Sequence, residues 1–294
     1  MRLYQPLNIL IFLQDKKITI SMKIKDHFLS QEIFEIKETH TKGVFKTSPI
    51  PSNISRYYES EDYISHHQDS GSLKEKLYKF LQSFNLQYKK NILVDRIKKG
   101  SKVLDYGCGA GEFVKYIEND FETFGFEPDS DARKAAQSKI TKASILDNIN
   151  KIEENSLDAI TLWHVFEHIE NQDEMLNIFH GKLKEKGILV IAVPNPTSYD
   201  AKHYKEYWAA YDVPRHIYHF SKNGMENLIS KNPDWKMRKI KPLVLDSYYI
   251  SMLSEKYKKS PLFWAKAVIY GTISNVKALF SNEFSSLIYI IEKR

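Results

Sequence analysis

The chain has 294 residues, 42% of them hydrophobic, enough for one large domain with additions or for a domain and a small partner. Forty-three Lys and Arg stand against 37 Asp and Glu, and the net charge of +6 is spread along the chain in small clusters such as Lys89-Lys90 and Lys98-Lys99. Solvated lysine faces explain that pattern better than a nucleic-acid groove, and the single cysteine, Cys108, excludes an internal disulfide framework, which suits the cytoplasm.

Leu7 to Leu13 is apolar but too short to span a bilayer, and no small-residue cleavage site precedes Lys16-Lys17, so it does not read as a signal peptide. Met22 offers an alternative start, and residues 1–21 are expected to be an extension or a mis-assigned start. Residues 22–88 are expected to form an N-terminal arm and cap. Within it, Phe28 to Ile36 suits a strand or a short helix, and Gly43 to Pro51 an extended or looped segment. Arg56 to His67 is dense in tyrosine, which serves equally to cap a site or to pack an arm onto a sheet. Leu73 to Lys98 carries the longest helical pattern, ended by Gly100, with Asn85 as a point where it could break.

Lys102 to Tyr106 reads as a short buried strand. Gly107, Gly109 and Gly111 then make a turn almost without side chains, and Phe113, Val114, Tyr116 and Ile117 recur at helical spacing. Strand, glycine turn and helix together form the layout of a nucleotide-cofactor site, where glycines admit close backbone approach and a helix N-terminus offers N–H groups. Against the dinucleotide pattern G-x-G-x-x-G, the third glycine comes one residue early. Asp105, just before the turn, would repel a phosphate; it suits a ligand bearing an ammonium and a sulfonium, as S-adenosylmethionine does. A second strand, Glu122 to Phe126, leads into Glu127, 22 residues after Asp105 and near the offset at which an acid binds ribose hydroxyls.

Further on, Ser130-Asp131 caps a helix, 142–146 is a weak strand and Leu157 to Trp163 a strong one. Asn171 and Glu174 form a capping box for a helix through Lys184, which Gly187 closes before another strand. This alternation implies an α/β, doubly wound parallel sheet that binds ligands at the C-terminal strand edge. Pro194 to Phe220 has no clean periodicity but is rich in aromatics and histidines, and is expected to wall the acceptor. Ser221 caps a short helix, and 235–245 and 286–292 read as strands. Between them, Tyr248 to Phe280 is helical and strongly apolar, with Lys266 and Lys277 arguing against a transmembrane helix. Packing within the domain is the expectation for it; a lid, a homodimer surface and a membrane-surface patch stay open.

Asp105-Tyr106-Gly107-Cys108-Gly109-Ala110-Gly111 resembles motif I of class I S-adenosylmethionine-dependent methyltransferases, and Gly125-Phe126-Glu127-Pro128-Asp129 resembles motif II. Ser156 to His168, which contains Trp163-His164-Val165-Phe166-Glu167-His168, resembles the fourth-strand segment of the small-molecule subgroup similar to ubiquinone O-methyltransferases. Gly187 to Asn195 resembles its fifth strand, and Asp212 to Phe220 the segment after it. The resemblance implies a seven-stranded Rossmann-like sheet, mostly parallel with an antiparallel last strand, over 89–294, with a helical insertion at about 248–284. It implies S-adenosylmethionine as cofactor, held by Asp105, Gly107, Cys108, Gly109, Gly111, Glu127, Pro128, Leu146, Asp147, Trp163 and His164. A small-molecule acceptor methylated on oxygen is expected, with no nucleic-acid partner.

A hydroxyl acceptor needs a base. The candidates are His164 and His168 after the fourth strand and Asp212, His216 and His219 in the later loop, with His216 or His168 preferred. His164 to His168 also resembles a magnesium-binding Glu-x-x-Glu-His segment, but His164 replaces the first carboxylate, so no metal is expected. An NAD-dependent dehydrogenase and a donor-binding module without turnover are the alternatives. The Asn/Asp-Pro-Pro-aromatic signature of amino-methylating base methyltransferases is missing.

Overall fold

The computed structural model describes residues 12–14, 17–19, 21–58 and 73–294; most of the N-terminal apolar stretch and of the tyrosine-rich arm lies outside them. Phe12–Gln14 (β1) and Lys17–Thr19 (β2) form an antiparallel hairpin. Ser21–Lys25 (β3), Ile33–Glu38 (β4) and Val44–Ser48 (β5) follow as an antiparallel meander. In β4, Phe34 and Ile36 are buried while Glu35 and Lys37 alternate outward, the period-two pattern of a strand with one covered face. Leu73–Val94 (α1) runs without a break at Asn85. Lys102–Tyr106 (β6), Glu112–Ile117 (α2), Glu122–Phe126 (β7), Ser130–Lys139 (α3) and Ser144–Leu146 (β8) alternate as expected. The cap of α3 is Asp129, whose carboxylate accepts from the N–H groups of Asp131 and Ala132.

Leu157–Trp163 (β9) leads to Gln172–Lys182 (α4), where Asn171 Oδ1 accepts from the Glu174 N–H as a capping box requires and the Asn171 side-chain amide, in place of its backbone N–H, donates to the Glu174 carboxylate. Leu183–Pro194 (β10) starts directly from that helix, so Gly187 lies inside a strand and does not end the helix. Lys186 there has φ +63°, and the pairing of β10 with β9 slips between Leu183 and Ile188. The chain continues with Tyr199–Tyr204 (α5), Tyr218–Phe220 (β11), Lys222–Ser230 (α6) and Trp235–Pro242 (β12). Asp246–Tyr257 (α7), Phe263–Ser281 (α8) and Ser286–Lys293 (β13) complete it. Among the described residues no helix is long and apolar enough to cross a membrane.

Packing divides the chain into two units. One holds 73–193, 229–245 and 287–294, and is built on a seven-stranded sheet of order β12-β13-β10-β9-β6-β7-β8. β6 to β9 and β10 pair in parallel, and β12 pairs antiparallel with β13. The order reverses at β6, which sets a crevice at its C-terminal end. Val103, Leu162, Val190 and Ile290 are fully buried in the sheet's core; each contributes about 1.5–3 kcal/mol of burial.

The other unit gathers the described N-terminal residues through Tyr58 with 194–228 and 246–286. The aperiodic stretch after β10 supplies β11, which pairs with β5 to close a four-stranded sheet of order β11-β5-β4-β3. Arg215, 2% exposed, joins three segments of this unit: it donates to Asp26 Oδ1 at 3.0 Å, to Asp212 Oδ1 at 2.7 Å and to the Tyr57 carbonyl at 3.0 Å. Asp200 is a second buried hub, accepting from Trp208 Nε1, Ser274 Oγ and Ser285 Oγ at 2.6–2.7 Å. The stretch rich in aromatics is thus core as well as surface.

In the first unit Glu118 accepts from the N–H groups of Thr141, Lys142 and Ala143 and from Lys115 Nζ. Burial raises its carboxyl, but the Lys115 ammonium and the three N–H groups outweigh that and hold it well below the ordinary 4.5. The unfolded chain therefore takes up this proton first as pH falls below 4.5, and stability drops in that window. Glu118→Gln is expected to cost about 1–3 kcal/mol at neutral pH and to flatten the acid limb, as read by urea unfolding between pH 3 and pH 7.

Candidate functional site

The turn after β6 is shaped by contacts that admit no side chain. Gly107 has φ +74°, and a Cβ there would meet Val165 at 2.6 Å; Gly111, at φ +78°, would meet Ala136 at 2.9 Å. The turn's N–H groups are mostly committed inside the protein. Gly107 and Cys108 donate to the Phe126 carbonyl, Gly111 to the Cys108 carbonyl, and Gly109 to Glu127 Oε2 at 2.9 Å. The expected open N–H groups are therefore not offered by these four residues. A pyrophosphate would find few donors here, which counts against a dinucleotide.

Above the turn lies a cavity of about 320 Å³ lined by Asp105, Gly107, Cys108, Gly109, Ala110, Glu112, Phe113 and Trp163, and by Gln82, Asn85, Leu86 and Lys89 of α1. The four α1 residues repeat at helical spacing, so one helix face forms a wall. Lys89 Nζ sits 4.6 Å from the centre of the Trp163 ring. Asp105 is 3% exposed and accepts from Thr161 Oγ1 at 2.7 Å. Burial pushes its carboxyl up to about 7, with the Thr161 hydroxyl and the Lys89 ammonium pulling the other way. Burial also raises the Cys108 thiol to about 12, which disfavours the reactive thiolate.

Glu127 Oε1 accepts from the N–H of Asp129 at 3.0 Å while Oε2 holds Gly109, so this acid braces the turn. Glu127, Pro128, Leu146 and Asp147 follow or end β7 and β8 and are not among the cavity's lining residues. Asp147 is exposed and ion-paired with Lys151, which lowers its carboxyl.

Directly after Trp163, His164 adopts φ +59°, and its Nδ1 lies 3.3 Å from Oε1 of Glu167, itself 1% exposed. His168 follows, half-buried. In the other unit, His216 Nδ1 lies 2.9 Å from the Ala210 carbonyl, which fixes the proton on Nδ1; Nε2 is 3.9 Å from Asp212. Thr47 Oγ1 donates to the His216 carbonyl, so toward His219 Nε2, at 3.0 Å, it accepts. His219 is buried, and Asp212 is engaged by Arg215.

The sequence places the helix that begins near Leu73 beside the cofactor turn, as observed, but its apolar spacing does not single out Gln82, Asn85, Leu86 and Lys89, because the lining face is mostly polar.

A methyltransferase-domain family model matches residues 77–232. A protein of Methanocaldococcus jannaschii is 28% identical over 198 residues, covering 63% of this chain and 74% of its own length. A methyltransferase of Alkaliphilus oremlandii is 27% identical over 113 residues, 37% of this chain, which spans about half (51%) of that relative's length. Among solved structures, the complex of the Haloferax volcanii Trm112 methyltransferase activator with its methyltransferase gives a match with TM-score 0.52 and 13% identity, over 73% of this chain and 92% of that one, a likeness of fold.

These residues fit S-adenosylmethionine: the glycine turn excludes side chains, its amides are largely spent, and a buried carboxylate faces the cavity in place of phosphate donors. Since Asp105 is ionised only above about pH 7, affinity for S-adenosylhomocysteine, which keeps the ammonium, is expected to rise from pH 6 to 7.5. Asp105→Asn should lose that slope and weaken binding by about 1–3 kcal/mol at pH 7.5, measured by calorimetry.

Proposed function

This chain belongs to the methyltransferase-domain family and is an S-adenosylmethionine-dependent methyltransferase, and from that premise we propose that it methylates a hydroxyl of a small-molecule acceptor. The pairing of His164 with Glu167, next to a wall of the donor cavity, carries the hydroxyl reading. A neutral amine attacks without prior loss of a proton, whereas a hydroxyl needs a base. In this reading a proton on His164 Nδ1, 3.3 Å from the buried Glu167 carboxylate, makes Nε2 the atom that takes the acceptor's proton.

When bound, S-adenosylmethionine supplies an electrophilic methyl group on a positively charged sulfur. Asp105 balances cationic charge in the cavity, the glycine turn sets the closest approach, and Trp163 and Phe113 form an apolar wall. Glu127 is assigned to the ribose hydroxyls through the capacity its oxygens retain, and Leu146 and Asp147 to the adenine. His168 and His216 follow His164 as candidates for the base; we assign His219 and Asp212 to holding their own unit together.

His164→Gln is expected to lower kcat by on the order of a hundredfold or more, and Glu167→Gln by less, with an altered acid limb of the pH profile and S-adenosylhomocysteine affinity unchanged. The assay is a panel of phenols, sugars and amines with methyl-labelled donor. Transfer to amines alone, with His164→Gln fully active, would sink the hydroxyl reading.

A further inference from the structure

Helix α8 wears its apolar residues on the outside. Ala267, Gly271, Ser274 and Ala278 face inward and are buried, and they are small. The opposite arc carries Val268, Ile269, Val276, Leu279 and Phe280, with Trp264 at the first turn; Leu279 is 70% exposed, Phe280 86% and Trp264 62%. This is the reverse of a helix facing water, whose outer face is polar. At 19 residues the helix is about 28 Å long, so the stripe is much longer than a scatter of single exposed residues.

The charge around the stripe is predominantly of one sign. From Asp246 to Glu283 the charged residues are Lys256, Lys258, Lys259, Lys266 and Lys277 against Asp246, Glu255 and Glu283; Glu255 is 1% exposed, Glu283 accepts from Asn195 and Thr197, and Asp246 is half-buried. Among the described residues none of the five lysines is ion-paired with an acid. Lys256, Lys258 and Lys259 lie in the last turn of α7 and the link to α8, beside the exposed Leu262 and Trp264; Lys266 and Lys277 fall along one edge of the apolar arc.

We propose that the outer face of α8 is a docking surface for an anionic phospholipid bilayer, with the helix lying in the plane of the interface. An apolar face with Trp and Phe, edged by lysines and devoid of exposed acid, matches the chemistry of that interface. A second copy fits it worse, because self-association would bring two lysine-edged faces together with no exposed acid on either to answer them. The helix does not cross the bilayer.

The test is co-sedimentation of the full chain with vesicles of phosphatidylglycerol and phosphatidylcholine, in parallel with phosphatidylcholine alone. The chain is expected to sediment with the anionic vesicles about tenfold or more in preference to the neutral ones, and to be released by high salt. The double variant Ile269→Glu/Phe280→Glu should stay in the supernatant. Undiminished S-adenosylhomocysteine binding will show that it is folded, since the donor cavity belongs to the other unit. Fluorescence of the wild type minus that of Trp264→Phe should shift to the blue on anionic vesicles. Three results would overturn the proposal: no sedimentation with either vesicle, equal sedimentation of the double variant, or a concentration-dependent dimer that Ile269→Glu separates in the absence of vesicle binding.

Discussion

A carboxylate taken almost wholly out of water, whose hydrogen-bond donor among the described residues is the neutral Thr161 hydroxyl, is the constraint on which the proposed donor site rests. Asp105 sits at the middle of the sheet, where β6 has β7 on one side and β9 on the other. Removing such a group from water costs several kcal/mol unless a cation answers it. The protein answers only in part, through Lys89, and the carboxyl rises to about 7. In this state the folded chain holds a proton that the unfolded chain would release between 3.8 and 7, so stability falls as pH rises through that window. A bound cation reverses the balance. Under the proposed role of Asp105, the feature that leaves the site poorly solvated also favours a cationic ligand.

That logic separates two cofactors which share a strand–turn–helix layout. A pyrophosphate needs N–H groups that point outward. Here the backbone of the turn is closed on Phe126 and Glu127, so its donors hold the turn's shape. Glu127, expected to serve a ligand, is at least equally a strut: without its carboxylate the Gly109 amide has no partner in the first unit's turn, and the geometry next to Asp105 loosens. One residue can do both, because each carboxylate oxygen accepts more than once.

Much of this was legible in the sequence. β6, β7 and β9 begin and end where apolar runs and turn residues place them, because parallel strands buried on both faces leave a continuous signal. The capping box at Asn171 is legible for the same reason: its chemistry is local. Gly187 misled because a glycine after a helix usually ends it, whereas here a strand with a slipped register contains it. The four-stranded sheet escaped because β11 is three residues long and its partner β5 lies more than 160 residues earlier in the chain; no window reads such a pairing. Arg215 was visible only as part of a motif. Its burial between Asp26 and Asp212 is a tertiary fact, and removing it would leave two carboxylates without their cation.

The donor turn and the proposed base are held in one register by a steric contact. Gly107 must lack a side chain because Val165 occupies the space where its Cβ would stand. Val165 lies between His164, held at φ +59°, and Phe166, which is fully buried and begins the short turn that carries Glu167. A left-handed conformation at a histidine costs about 1 kcal/mol or more, and it persists only where the surroundings over-determine it. Here they do: the His164 N–H is tied to the Ala192 carbonyl of β10, Val165 is pinned against Gly107, and Phe166 fills the core. The consequence is that the His164 backbone has little freedom relative to the glycine turn. Under the proposed role, a base mounted on so fixed a backbone starts from a pre-set position, which is the condition under which it lowers a barrier and does not merely tighten binding.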